Sequence, residues 1–424
     1  MGRPFLTSVP HRARRFYHLR YRVALITFLT VLFYQQHLFH IYRQSLSEKY
    51  SSTDFGTTEC SSCQQDWSLG KDTNFHFDLL RNRDKWTVLG EGWEGKVFLY
   101  GNYVIKTFTP GRSPFRNCAP GLSETWPTEI AASQWFNSRY WQLGDQNRNQ
   151  SRGSSLVEPA IGTALNGLVP VKAYFRGPTP HSAIPEWHLV THFVKDGSLT
   201  SLSKNLAQNC GTRTYHQLDA EYRTRFESMV NNLGKLHQAG FCHDDIKPGN
   251  IFVNGSNWLL GDLGNLRHIS HPYHFSRIWR ENEQLEDCRA NDIMRALKSY
   301  IQFIRNSASD SSDFDEDFKA GQQPIPRLFR SAARSANELS ATELQHLSHS
   351  FDAKYVDVPL ASGEVPEQLQ RNTSRFFLGR LAQKVAVDRA IRTRIGEKLA
   401  RFYAITWLFG VPVPASCYES APGW

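Results

Sequence analysis

Asp245, Lys247 and Asn250 stand in one short run, His243-Asp244-Asp245-Ile246-Lys247-Pro248-Gly249-Asn250, and Asp262-Leu263-Gly264 follows twelve residues after Asn250. An amide oxygen and a carboxylate are suitable ligands for a hard cation such as Mg²⁺. A second carboxylate, Asp245, can take a proton from an attacking hydroxyl. A lysine two residues on can offset negative charge on a group in flight. The chemistry these types can perform together is phosphoryl transfer.

Such groups must be brought together by their elements. Ile251-Phe252-Val253 and Trp258-Leu259-Leu260 flank Asn254-Gly255, the pattern of a tight hairpin. Pairing 251–253 with 258–260 sets Asn250 beside Asp262 at the open end. Farther upstream, Gly90-Glu91-Gly92, Gly95 and Val97 form a glycine-rich loop between two strand-like runs. Glycines let main-chain N–H groups close over phosphates. Gly90, Gly95 and Lys96 nearly match a Walker A loop, but Val97 stands where that motif needs Ser or Thr, and a strand follows instead of a helix. Gly101-Asn102 is a favoured hairpin turn, so Tyr100 is expected opposite Tyr103 and Val97 opposite Lys106. That register puts Lys106 under the loop, within reach of phosphates.

These stretches resemble the protein kinase superfamily. HDDIKPGN is similar to the catalytic loop H-R-D-L-x-x-x-N, Asp262-Leu263-Gly264 to D-F-G, and Val104-Ile105-Lys106 to the V-A-I-K strand. The resemblance covers roughly residues 86–305. It implies Asp245 as catalytic base, Asn250 and Asp262 as Mg²⁺ ligands, His243 as a structural residue and Lys106 as the phosphate lysine. A glutamate from the helix opened by Pro127 would hold Lys106; Glu129 is the candidate and Glu124 its rival. The run Trp187–Phe193 would lead into the hinge, with Thr191 as gatekeeper and main-chain groups of His192 and Val194 facing adenine. Asp292 is a candidate for the aspartate that steadies the catalytic loop, a solvated helix acid being the alternative. Two departures stand out. Asp244 replaces the arginine that clamps a phosphorylated loop in many kinases, and no A-P-E follows in Asn265–Asp287, where Ser270, Tyr273 and Ser276 are candidate modification sites.

The fold expected is α+β and bilobal: a small β-rich N-lobe at 76–195 and a large helical C-lobe at 196–424, with Mg-ATP between them. Two further functions stay open beside a Ser/Thr protein kinase, namely a small-molecule or sugar kinase on the same core and a membrane-tethered pseudokinase. The partners implied are ATP and a protein or small-molecule hydroxyl acceptor.

The net charge of +9 is local: residues 1–50 hold eight Lys/Arg against Glu48 alone, so +7 of it lies there. The rest offers nucleic acid no basic face, and no nucleic-acid partner is expected. Residues 1–22 read as a basic cytosolic tail and 23–42 as an uncharged, largely apolar segment long enough to cross a bilayer. A signal anchor, a cleaved signal peptide and an amphipathic surface helix compete for it; the anchor is carried forward, because no small-residue cleavage site stands out before Ser45. The positive-inside rule then gives a single-pass type II protein with its catalytic part in the lumen of the secretory pathway. Sequons at Asn149, Asn254 and Asn372 occur about as often as chance allows. Residues 43–75 read as a stem. Cys60 and Cys63 lack the second ligand pair that zinc requires, and seven cysteines leave at least one outside any intrachain pairing. Ser307–Gln323 is acidic and Ser-rich, expected as a disordered excursion. Ser374–Leu408 carries a helical pattern.

Overall fold

The computed structural model describes residues 11–53, 55, 73–92, 95–109, 118–119, 126–136, 167–179, 182–209, 213–351 and 377–405. Glu124, Cys60, Cys63, Cys210, Cys417, Asn149 and Asn372 lie outside them, as does the loop at 144–155.

The chain is α+β. After helices α1 (His11–Lys49) and α2 (Thr73–Arg81) come strands β1 (Thr87–Glu91), β2 (Gly95–Tyr100) and β3 (Tyr103–Phe108). A two-residue pair, β4 (Cys118–Ala119) and β5 (Trp126–Pro127), precedes helix α3 at 128–136. Strands β6 (Val171–Thr179) and β7 (Ser182–His192) complete a five-stranded antiparallel sheet of order β1-β2-β3-β7-β6. The alternation of Val, Ile, Phe and Tyr along β3, β6 and β7 supplies an apolar set to each face. One face packs Phe108, Tyr174 and Leu189 with Ile130 of α3. The other packs Ile105, Ala173, Phe175 and Val190 with Trp86 and with Leu79 of α2.

The remainder is mainly helical. It comprises α4 (Leu199–Asn209), α5 (Tyr215–Gln238), α6 (Arg277–Glu281), α7 (Cys288–Ser307), α8 (Ser311–Ala320), α9 (Pro324–Arg334) and α10 (Ala341–Ser350), then helices Phe377–Ala390 and Lys398–Ile405. Short pairs interrupt it: β8 (Phe241–Cys242) with β11 (Arg267–His268), and β9 (Ile251–Asn254) with β10 (Asn257–Leu260). Helix α5 opens on a capping box in which Thr214 and Gln217 satisfy each other's backbone N–H. It buries Leu218, Tyr222, Phe226, Met229, Val230, Leu233 and Leu236 against α7, a stripe of helical period. Burial at α7 extends around nearly its whole circumference, so it is the axis of this part.

Two expectations are corrected. Residues 43–50 are not a stem. Helix α1 runs unbroken to Lys49, and Leu38, Tyr42, Leu46 and Tyr50 pack into a cluster with Cys242, Tyr273, Ile278, Trp279, Cys288, Ala400 and Ala404. The polar residues of 43–50 conceal a four-residue apolar spacing, Leu38, Tyr42, Leu46 and Tyr50, that fits one face of a helix. Among the described side chains, the exposed large apolar ones of α1 fall between Leu19 and Tyr34, so the last turns of the span expected at 23–42 belong to the docked part. The helix still has the length and composition of a membrane span or of a signal sequence.

Ser307–Gln323 is not a disordered excursion: it holds α8. Asp310 caps that helix through a bond from the Ser312 N–H, 2.7 Å, and Phe314 is fully buried. Asp315 pairs with buried Arg305 at 2.6 Å. Two of the acids that suggested disorder are thus a helix cap, Asp310, and half of a buried ion pair, Asp315. The helical pattern expected over Ser374–Leu408 is present as helices Phe377–Ala390 and Lys398–Ile405, separated by a non-helical break, with 374–376 and 406–408 outside the described residues.

Candidate active site

The predicted β9/β10 register holds, with Ile251 opposite Leu260, Phe252 opposite Leu259 and Val253 opposite Trp258. A bond from the Gly261 N–H to the Asn250 carbonyl, 2.9 Å, closes the open end one residue before Asp262. A Cβ on Gly261 would stand 2.7 Å from the Phe252 ring, so only glycine permits that closure. Asp262 leaves it in a left-handed conformation, φ +58°, turning its carboxylate toward the sheet.

Lys106 meets it there. Tyr100 pairs with Tyr103 and Val97 with Lys106, as expected, and Leu189 of β7 flanks Lys106 on its other side. Two ladders therefore fix the backbone of this lysine. Its ammonium pairs with Glu129 of α3 and lies 2.9 Å from Oδ1 of Asp262. Glu129 is thus the glutamate that reaches Lys106; it is 8% exposed. The lysine charge, against some cost of burial, holds the Asp262 carboxyl down to about 2.

On the other side of the loop, Asp245 accepts from Lys247 Nζ at 2.6 Å and from Asn250 Nδ2 at 3.1 Å. Asn250 Nδ2 also donates to the Asp245 carbonyl, 2.9 Å. Donating through its nitrogen leaves the amide oxygen as this residue's ligand atom. His243 binds the Gly261 carbonyl through Nε2, 3.1 Å, and is fully buried; it ties the 243–250 run to the β10 end. Asp292 on α7 is fully buried rather than solvated. It accepts from the backbone N–H of His243 at 2.6 Å and of Asp244 at 3.0 Å, with His237 Nε2 at 3.3 Å.

Asp244 carries the unexpected part. Its carboxylate is completely enclosed, with His274 Nε2 at 2.9 Å and Arg267 Nη1 at 3.2 Å. Its carbonyl accepts from Arg295 of α7. Burial opposes the charge on Asp244, but His274 and then Arg267 outweigh it and hold the carboxyl far below its usual range. Neither Arg267 nor His274 was singled out from the sequence. The available signal was the acid itself, because a carboxylate in a buried turn needs a cation nearby. A Cys242–Cys288 disulfide joins β8 to the start of α7 beneath the same loop.

The glycine loop forms the β1–β2 turn. Gly92 N–H bonds the Gly95 carbonyl at 2.8 Å, and Gly90 pairs with Val97 beside an irregularity in the ladder. The steric need for glycine lies at Gly95, where a Cβ would fall 1.7 Å from the Thr107 carbonyl oxygen. Glu91 is exposed and faces Lys96 at 3.8 Å. His192 closes β7 opposite Tyr103, and Val194 lies beyond the strand with its carbonyl accepting from Gly197 at 3.0 Å. The structure therefore brings Lys106, Glu129 and Asp262 into one cluster and Asp245, Lys247 and Asn250 into a neighbouring one. The glycine loop joins the first through strand pairing alone.

No protein-family model matches the chain. It is similar to the "Probable serine/threonine-protein kinase MRK1 homolog" of Encephalitozoon cuniculi (strain GB-M1), 28% identical over 112 residues. That match spans 25% of this chain and 32% of the relative. The similarity is kinase-like and partial, about a third of the other protein's length.

Proposed function

We propose that this chain is an ATP-dependent kinase that transfers the γ-phosphoryl group to a hydroxyl, in the first instance of protein Ser/Thr. The observation that carries the reading is the ion-paired lysine: Lys106, from the sheet, binds Glu129 and Asp262 together. In this reading 76–195 is the N-lobe, 196–424 the C-lobe, and the nucleotide lies between them.

The residues fit such a ligand. Asp262 stays ionised at any physiological pH, and Asn250 offers an oxygen, the donor set that suits Mg²⁺. Mg²⁺ held by Asp262 and Asn250 would supply charge neutralisation to the nucleotide's phosphates. Gly90, Glu91, Gly92, Gly95 and Val97 would cover the phosphates, and His192 and Val194 would meet adenine. Asp245 orients the acceptor hydroxyl and takes its proton as the new O–P bond forms and the bond to the leaving ADP oxygen breaks. Lys247, already on Asp245 at 2.6 Å, stabilises the charge on the moving group.

One observation favours the sugar or small-molecule alternative. Only fourteen residues separate Asp262 from α6 at Arg277, and they fold back on α1, which leaves little chain to build a peptide shelf. A pseudokinase would have no use for an intact Asp245–Lys247–Asn250 set. The N-terminal helix anchors the domain in this reading. The Cys242–Cys288 disulfide supports an oxidising compartment and hence the lumenal side.

The test uses the full chain in nanodiscs with Mg-ATP and peptide, glycan and water acceptors. Transfer of γ-phosphate to peptide, lost in Asp245→Asn, supports the protein kinase; transfer confined to glycan moves the assignment to the sugar kinase. Tight Mg-ATP binding with no transfer sustains the pseudokinase instead.

A further inference from the structure

Asp244, Arg267 and His274 bring a carboxylate, a guanidinium and an imidazole together in the interior, with side chains at most 2% exposed. Asp244 precedes the proposed base. Arg267 and His274 belong to the segment after Asp262. Arg267 also donates to the Asn265 carbonyl at 2.8 Å and sits over the Tyr273 ring at 4.6 Å. His274 Nδ1 bonds the Ile269 carbonyl at 3.1 Å. The segment is thereby bound to itself and to the catalytic run.

Helix α1 completes the arrangement from outside. Two nitrogens of Arg267, Nε and Nη2, reach the Lys49 carbonyl at 3.3 Å each. Ser45 Oγ accepts from the Ile278 N–H at 2.9 Å, and Ser51 Oγ lies 3.1 Å from His271 Nε2. Among the described residues, Lys49, itself paired with Glu397, faces the cluster from α1 with Arg401 and Asp245 nearby, and Arg295 faces it from α7. Two hydroxyls of the segment are out of reach of an external modifying enzyme, since Tyr273 and Ser276 are each 1% exposed. Ser276 is also spent as the cap of α6, accepting from the Trp279 N–H.

We infer that Arg267 and His274 are positioning residues that clamp Asp244, and with it Asp245, and that the distal half of α1 keeps the clamp closed without any phosphate on the segment. This deepens the kinase reading and rests on it for the effect on catalysis. The physical reason is charge order. The Asp244 carboxylate pairs with two cationic groups already present in the chain, Arg267 and His274, so no added anion is required to hold the segment. The closed state then needs no modification step.

The test follows amide exchange across residues 263–276 of the full chain, alongside phosphoryl transfer. The unmodified protein, shown by intact mass to carry no phosphate, is expected to protect this segment. Asp244→Asn and Arg267→Ala should speed its exchange at least about tenfold and lower kcat about tenfold or more, with KM for ATP little changed. Arg267→Lys should recover part of both, and Leu46→Ala, which loosens α1 without touching the cluster, should move them the same way. Arg289→Ala, which removes an exposed pair with Asp287, should move neither. Protection that appears only after phosphorylation, or exchange and kcat unchanged in Asp244→Asn and Arg267→Ala, overturns the inference. A wild-type chain that transfers nothing defeats the kinase reading separately, because the exchange comparison still judges the clamp.

Discussion

Lys106 Nζ lies 2.9 Å from Oδ1 of Asp262, 156 residues later in the chain. The contact spans from the sheet to the end of the β9/β10 hairpin, and nothing local in either stretch requires it. Both partners are held by backbone: Lys106 by two strand ladders, Asp262 by a left-handed turn.

Lys106→Met removes the cation that bridges Glu129 and Asp262. Mg-ATP affinity should fall, and phosphoryl transfer should drop by about 10²–10³-fold, the range for losing a charge-stabilising donor. Isothermal titration with ATP and a γ-phosphate transfer assay measure the two effects; wild-type affinity in Lys106→Met would remove this lysine from the nucleotide site.

Asp245→Asn keeps the shape of the loop but discards the proton acceptor. Turnover should fall by about 10²–10⁴-fold while ATP binding persists. Lys247→Ala should also slow turnover, by less. Single-turnover rates separate the two from any change in affinity.

Acid should destabilise the protein between about pH 6.5 and pH 4. Burial, and after it Arg83, lowers His188 to about 4; burial, and after it Arg267, lowers His271 to about 3. Both are neutral when folded and protonated when unfolded below the ordinary histidine value. Their stabilisation is present above pH 6.5 and is lost as pH falls. His274 runs the other way: burial lowers it, but Asp244 more than compensates, so its contribution is present below pH 6.5 and lost at higher pH. His216, lowered chiefly by burial, acts with them, whereas His274 is protonated in both states below pH 6.5 and adds no slope there. Each lowered group contributes up to about 1.4 kcal/mol per pH unit. Urea unfolding at pH 7.5 and pH 5 should show the loss, and His188→Gln should shrink it.

Reduction should loosen the 243–250 run. The Cys242–Cys288 bond closes a separation of 46 residues, for which a stabilisation of about 2–4 kcal/mol is typical. Cys242→Ser, or treatment with a reductant, should lower the melting temperature. An unchanged melt would mean that the bond does not form in the native protein.

Phe314→Ala tests whether α8 is part of the core. Phe314 is fully buried against Tyr215 and Phe318, and its truncation should cost about 3–5 kcal/mol. A change near zero, seen by chemical denaturation, would return 307–323 to the status of a loose excursion.

Residue types and spacing alone determined a good part of this protein. The β9/β10 register followed from apolar triplets around Asn254-Gly255, and Val97 opposite Lys106 followed from a two-residue turn, because hairpins are local and their period is strict. The same locality made Asp245, Lys247 and Asn250 legible as a group. Tertiary structure decided what depended on distant partners. It chose Glu129 for Lys106, buried Asp292 beneath the 243–250 run, and joined Cys242 to Cys288. It gave Asp244 two cations, one of them also bonded to the carbonyl of Lys49, and made 43–50 a docked helix instead of a stem. A hydrogen-bonded turn is specified by neighbours in sequence, whereas the partner of a buried charge is specified by which elements pack against it, and no local pattern encodes that.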